Sequence, residues 1–258
     1  MHRIFFRNPI IGGRVIVEDT AEIKHLEKVL RAEPGHLFEA CDSDGKVFVV
    51  EILSIKDNAI CGKVISSREE SVSEKVIVDL FQALPKKNNM DLIVQKSTEL
   101  GINSIKPYVS SRTIVKIDEK NSVKKTERWR RIAKEAAKQS KRLDIPQITD
   151  TFLFDEMLFK LKEYDKSVLL YENEKVNGFE SLASKKEDFQ KIALLVGPEG
   201  GFSPDEVNKI KECGSISISL GPRILRTETA GFAALSIIQF LFGDMRGLKT
   251  SDEKNIFY

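Results

Sequence analysis

Cysteine is scarce in this chain, net charge is nearly absent and no long apolar run occurs, and each shortage removes a class of function. The three cysteines, Cys41, Cys61 and Cys213, are widely spaced, form no CxxC pair and lack a histidine-rich neighbourhood. Zinc is therefore not expected, and no metal is assigned. A reducing cytoplasm is the simplest location. The opening MHRIFFRNP has neither the apolar stretch nor the small-residue cleavage site of a secretory signal, and no later segment is apolar enough to span a bilayer. The expectation is a soluble protein with no membrane partner. Lys and Arg number 41 against 39 Asp and Glu, a formal net charge of +2, so any nucleic-acid surface has to come from local clustering. The glycines are followed by no Walker lysine and do not follow the GxGxxG spacing, which argues against a nucleotide hydrolase or a dinucleotide fold. Internal repeats and low-complexity tracts are missing as well.

What is present is enough for one large core or two modest ones, 258 residues of which 41% are hydrophobic. The polar stretch SSREESVSEK, Ser66 to Lys75, reads as a linker. Before it lie short strand candidates, Arg3 to Phe6, His36 to Ala40, Val47 to Ile55 and Ala59 to Ile65, separated by turn signals such as SDGK and KDN. One helix, Ala21 to Arg31, interrupts them. A small β-barrel is expected, which in its plainest reading serves as a folding or dimerisation module. After the linker, strands and helices alternate: strand Val76 to Leu84, helix Met90 to Leu100, strand Ser104 to Val109, helix Val123 to Arg142, helix Phe154 to Lys162 and strand Ser167 to Tyr171. Such alternation implies an α/β fold with a mostly parallel sheet covered by helices on both faces.

Two glycine-proline loops follow. Ile192 to Val196 is an apolar run suited to a buried parallel strand, and Gly197, Gly200 and Gly201 permit turns and close approaches that a side chain forbids. Ser203 then serves as N-cap, with Pro204 in the first helical position and Glu206 completing a capping box. The second loop repeats the arrangement: strand Ser215 to Leu220, then Gly221 and Pro222, then Arg223 to Arg226, with Thr227 as cap of a largely apolar helix from Glu228 to about Met245. Two backbone-lined loops facing one small ligand favour a cofactor pocket over plain strand-to-helix turns.

GPEGG followed by LGPRILRTETA resembles the RsmE family of RNA methyltransferases in the SPOUT superfamily. The likeness extends to MDLIVQKSTELGI from Met90, PYVSSRTIVK from Pro107, RWRRIAKEAAKQSKRLDIPQI from Arg128 and VLR at Val29 to Arg31. Two positions depart from the pattern: Ser111 stands where an acidic residue is usual, and Lys138 where Glu is common. The resemblance implies a SPOUT methyltransferase domain over residues 74–250 with a C-terminal trefoil knot, preceded over residues 1–70 by a PUA-like β-barrel that binds RNA. It also implies S-adenosylmethionine as methyl donor, N3 of a uridine in 16S ribosomal RNA as acceptor, the small ribosomal subunit as partner, and a homodimer. A noncatalytic RNA-binding or ribosome-assembly protein on the same fold is the alternative.

The donor is then expected at the ends of three strands, against Leu170, Tyr171 and Glu172, then Val196, Gly197, Pro198, Glu199, Gly200 and Gly201, then Leu220, Gly221, Ile224, Leu225 and Arg226. Removing the N3 proton of uridine, whose pKa lies about two units above neutral, costs roughly 3 kcal/mol at pH 7. Arg226 is expected to stabilise the uridine anion, with Glu228 or Glu199 orienting groups or accepting the proton; an ion pair of Arg226 with either carboxylate is the competing role. RNA contact is expected from Lys96, Arg112, Arg128, Arg131, Arg142 and Arg31. The helix from Val123 carries a one-sided excess of Lys and Arg around an apolar stripe of Trp129, Ile132, Ala133 and Ala136. A solvated face explains such charge as well as phosphate contact does.

Overall fold

Strand alternation builds the first part of the chain. In RVIV, Val15 and Val17 point inward while Arg14 and Ile16 face out, the period of two that a half-covered sheet demands. The computed structural model describes residues 1–6, 10–42, 45–56, 58–69, 76–86, 89–114, 119–183 and 189–245. Within them the chain divides into two units, one within Met1–Val72 and Ala137–Ile145, the other within Ser73–Ala136 and Pro146–Tyr258.

The first unit holds β1 (Arg3–Phe5), β2 (Arg14–Val17), α1 (Thr20–Lys24), β3 (Leu37–Cys41), β4 (Lys46–Lys56) and β5 (Ala59–Glu69). The five strands form one sheet in the order β1-β3-β4-β5-β2, parallel only between β1 and β3. Its core packs Ile4, Phe38, Ala40, Val50, Ile52 and Ile60 against Ile23 and Leu26 of the helical segment. Asp19 caps α1 by accepting from the amides of Ala21 and Glu22. The helical segment runs on as a wider π turn to Val29 and stops short of Arg31, which takes a left-handed φ of 49°. Gly62 is required because a Cβ there would lie 2.3 Å from Val50 Cγ1. Strand β5 is longer than expected: Ser66 to Glu69 pair with Val49 to Lys46, so the first part of the expected linker is sheet. Glu70 to Lys75, and Ser43, Asp44 and Asp57 of the expected turns, lie outside the described residues.

The second unit holds β6 (Ile77–Ala83), α2 (Asn89–Glu99), β7 (Ser104–Val109), α3 (Glu119–Gln139), β8 (Gln147–Ile148), β9 (Phe152–Leu153), α4 (Phe154–Lys160), β10 (Lys166–Leu170), α5 (Glu180–Ala183), β11 (Lys191–Val196), α6 (Pro204–Glu212), β12 (Ile216–Ile218) and α7 (Thr227–Phe242). Every strand pairing is parallel, in the order β12-β10-β11-β6-β7-β8 with β9 also on β7. The α/β class with a mostly parallel sheet is as expected. Continuous apolar runs arise because both faces are covered. Leu80, Val168 and Leu194 join one core with Ile93, Trp129 and Leu235. Their neighbours Phe81, Leu169 and Leu195 join the opposite one with Met157, Phe202 and Ile210.

Boundaries shift where capping chemistry overrides pattern. Helix α3 ends at Gln139 and not at Arg142, because the chain turns through Lys141 at φ 55°. Its last turn brings Lys138 beside Glu22, buried, with Nζ and Oε1 2.5 Å apart. Helix α7 ends at Phe242, ahead of Gly243, and its N-cap is Arg226, with Thr227 already in the first turn. The strand expected over Ser215 to Leu220 shrinks to β12. No helix among the described residues is long and apolar enough to cross a membrane.

Candidate active site

Strands β10, β11 and β12 lie together in the sheet, with Leu169 opposite Leu195 and Leu170 opposite Ile218, so their carboxyl ends open on the same edge. Open parallel sheets bind ligands at such an edge. A cleft of about 740 Å³ lies there, a volume suited to one cofactor-sized molecule. All of Leu170, Tyr171, Glu172, Val196, Gly197, Pro198, Glu199, Gly200, Gly201, Leu220, Gly221, Ile224, Leu225 and Arg226 line it, and so does Glu228. Lys86, Asn89, Phe202 and Thr227 line it too, unforeseen from sequence.

The first loop is shaped by packing around its glycines. A Cβ on Gly197 would come within 2.9 Å of the Phe202 ring, and Gly201 turns at φ 67° with the Glu172 carboxylate where a Cβ would point. Arg112 Nη1 donates to the Gly200 carbonyl at 2.8 Å. Ser203 accepts from the Glu206 amide, while the buried Glu206 carboxylate accepts from the amides of Ser203 at 2.9 Å and Ser111 at 2.7 Å. Ser111 thus meets an acid through its backbone. Tyr108, fully buried, donates its hydroxyl to the Val196 carbonyl at 3.0 Å, and burial pushes its pKa well up.

The wall after β10 is tied to β12. Glu174 accepts from Ser217 Oγ and from the amides of Val176 and Asn177, and these bonds hold its carboxyl down to about 2. The Asn177 carbonyl in turn accepts from the Ser219 amide at 2.9 Å. In the second loop Gly221 turns at φ 97° with open space where a Cβ would go, and Ile224 is 88% exposed. Among the described residues, the backbone groups of Leu220, Ile224 and Leu225 make no hydrogen bond.

Arg226, Glu199 and Glu228, the three residues expected to carry the chemistry, all line this cleft. Arg226 is exposed and makes no ion pair or side-chain hydrogen bond among the described residues, so the pairing with Glu228 or Glu199 does not form. Glu199 is exposed and accepts from the Lys86 amide at 2.7 Å. Glu228, in the first turn of α7, is 9% exposed, and its Oε2 is buried with no hydrogen-bond partner among the described residues. Below them Thr227 Oγ1 donates to the Gly197 carbonyl at 2.6 Å and accepts from Gln82 Nε2 at 2.9 Å.

Of the residues expected at RNA, Arg112 reaches the first loop through the Gly200 carbonyl, and three others have carboxylate partners. Lys96 pairs with Glu99 at 2.8 Å, Arg128 with Asp91 and Arg142 with Asp144 at 2.8 Å, while Arg131 and Arg31 are exposed. The stripe of Trp129, Ala133 and Ala136 is buried as expected. Among the described residues no cluster of three or more His, Cys, Asp or Glu is arranged to hold a metal.

Residues 72–239 match the family model of the RNA methyltransferase domain, and this sets the class of protein to which the parallel sheet and its edge cleft belong. The relatives narrow it. Ribosomal RNA small subunit methyltransferase E of Bacillus subtilis is 35% identical over 88% of this chain and 90% of its own. The protein of that name from Buchnera aphidicola of Schizaphis graminum is 32% identical over 94% of this chain and 97% of its own. The crystal structure of a ribosomal RNA small subunit methyltransferase E from Neisseria gonorrhoeae bound to S-adenosylmethionine superposes with a TM-score of 0.83 at 28% identity, covering 95% of this chain and 99% of that one. The chain belongs to the ribosomal RNA small subunit methyltransferase E family.

Proposed function

We propose that the protein methylates N3 of a uridine in the 16S RNA of the small ribosomal subunit, with S-adenosylmethionine as donor. The observation that carries this reading is an unpaired arginine, Arg226, beside a buried carboxylate with an orphaned oxygen, Glu228, in one cleft at the ends of three parallel strands. The cleft fits the donor chemically. Apolar Leu170, Leu220, Ile224 and Leu225 suit the faces of an adenine, and the unbonded backbone groups of the second loop suit its polar edge. Glu172, Glu199 and Glu228 supply carboxylates for a ligand that carries positive charge.

Bound there, the donor offers a methyl group on a sulfonium to an in-line nucleophile, so the protein need supply no covalent intermediate. Arg226, held at the N-cap of α7 and free of internal partners, stabilises the negative charge that develops on the pyrimidine. Glu228 takes the N3 proton through Oε2. Glu199, anchored by the Lys86 amide, orients groups at the mouth.

In the same reading the first unit is a PUA-like barrel that binds RNA, and the parallel unit carries a deep trefoil knot. RNA contact falls to Arg31 and Arg142 in the first unit and to Lys96, Arg112, Arg128 and Arg131 in the second. The exposed Phe240 beside half-buried Ile237 on α7 supports a homodimer. Calorimetric titration with S-adenosylmethionine, followed by mapping of methylated nucleotides on small subunits from a strain lacking the protein, tests the proposal. Donor binding at a single site per chain and one new N3-methyluridine are expected. Absence of donor binding would leave only a noncatalytic RNA-binding role.

A further inference from the structure

Gln82 is a polar residue where the sheet has no use for one. It sits within the buried run of β6, one residue before the strand's end, in a strand with neighbours on both sides, opposite Val196 and fully shielded from solvent. Its amide nitrogen donates both protons, to the Ala83 carbonyl and to Thr227 Oγ1, each at 2.9 Å. Turning the amide over would set its oxygen against the Ala83 carbonyl, so the orientation is determined. Its Oε1 is left buried with no partner among the described residues, a penalty that leucine or methionine at the same place would not carry. Thr227 has one hydroxyl proton, and it goes to the Gly197 carbonyl at 2.6 Å. The result is a directional chain from Gln82 through Thr227 to Gly197. It runs from the floor of the sheet to the first residue of α7, where the chain leaves the second loop, and then to the first glycine of the first loop.

We infer that Gln82 and Thr227 form a positioning latch that holds the two glycine loops at the spacing the methyl donor requires, an inference that rests on the proposed function. Neither residue needs to touch the reacting atoms. Gly231, one turn further along α7, is compatible with this role: a Cβ there would meet Val196 at 3.7 Å and Gln82 Oε1 at 3.8 Å, so the helix lies directly against the latch.

The test is donor affinity by calorimetry on purified full-length variants, alongside thermal midpoints and steady-state kinetics. Thr227→Val and Gln82→Leu each break the chain and are expected to weaken donor binding about tenfold, the effect of one lost buried hydrogen bond. The rise is expected mainly in the KM for the donor, with kcat at saturation much less affected. Thr227→Ser, which keeps the hydroxyl, should bind within about twofold of the parent, and the double variant should bind no worse than about either single one because the same chain is already broken. Gln82→Met serves where Gln82→Leu does not fold. Tyr164→Phe is the control: it removes a partly buried hydroxyl bond of 2.5 Å to Asp79 near the opposite end of β6, and should lower the thermal midpoint without moving donor affinity. Parent-like binding by Thr227→Val and Gln82→Met, or losses that track melting temperature and include Tyr164→Phe, would overturn the latch. Failure of the parent itself to bind the donor would instead sink the methyltransferase reading.

Discussion

Arg226 is distinguished by what it does not touch. An exposed guanidinium at a cleft mouth, without an internal carboxylate partner among the described residues, is available to a ligand. Arg226→Ala is expected to abolish methyl transfer while leaving donor affinity nearly unchanged, as read by single-turnover methylation against calorimetry; persistent turnover would remove the arginine from the mechanism. Gly201 has the converse character, because its φ of 67° constrains the backbone itself. Gly201→Ala should cost about 1–2 kcal/mol of stability and displace the Glu172 carboxylate, measurable as a lower urea midpoint together with weaker donor binding.

Among the elements, α6 owes its start to two reciprocal bonds between Ser203 and Glu206, and the same carboxylate also holds Ser111. Ser203→Ala should lower stability by about 1 kcal/mol. Glu206→Gln should cost about 1–3 kcal/mol, since an amide cannot accept from both backbone donors without turning its own N–H groups onto one of them. Chemical denaturation of the two variants checks the order. Helix α3 presents a different balance: Arg128 is paired with Asp91, whereas Arg131 is exposed. If this face meets phosphate, Arg131→Ala should weaken RNA binding and reduce its salt slope by about one, and Arg128→Ala should do less. Equal slopes for parent and variants would make the charge a solvated face.

For the molecule as a whole, each unit carries a carboxylate whose ionised form belongs to the fold. Burial alone would raise the pKa of Glu39, but hydrogen bonds and charge from Arg68 and Arg3 outweigh it and set it below the ordinary 4.5. In the other unit Glu174 is held at about 2, first by Ser217 and then by backbone amides. Both folded pKa values lie under the unfolded ones, so their stabilisation is complete above pH 4.5 and drains away as pH falls toward 2. The thermal midpoint should drop across that window, and Glu39→Gln should flatten the part of the loss that belongs to the first unit, as scanning calorimetry at stepped pH will show.

Local physics made much of this protein legible in the chain. Both-sided burial leaves continuous apolar runs such as IALLV, and the start of a helix leaves Ser, Pro and Glu at fixed spacing, so β11, α6 and the two glycine loops are readable by residue. Strands β8 and β9 are too short for periodicity to register, β2 hides its alternation by placing the apolar Ile16 on its outer face, and the end of α3 depends on a left-handed turn at Lys141 that residue type alone does not demand. Tertiary structure decided the rest. The sheet order, with β10 and β11 between β12 and β6, brings the loops together, and Gln82 meets Thr227 across 145 positions of sequence. Hydrogen bonds of that kind depend on how strands are ordered in space, whereas caps and turns depend on neighbours a few residues away.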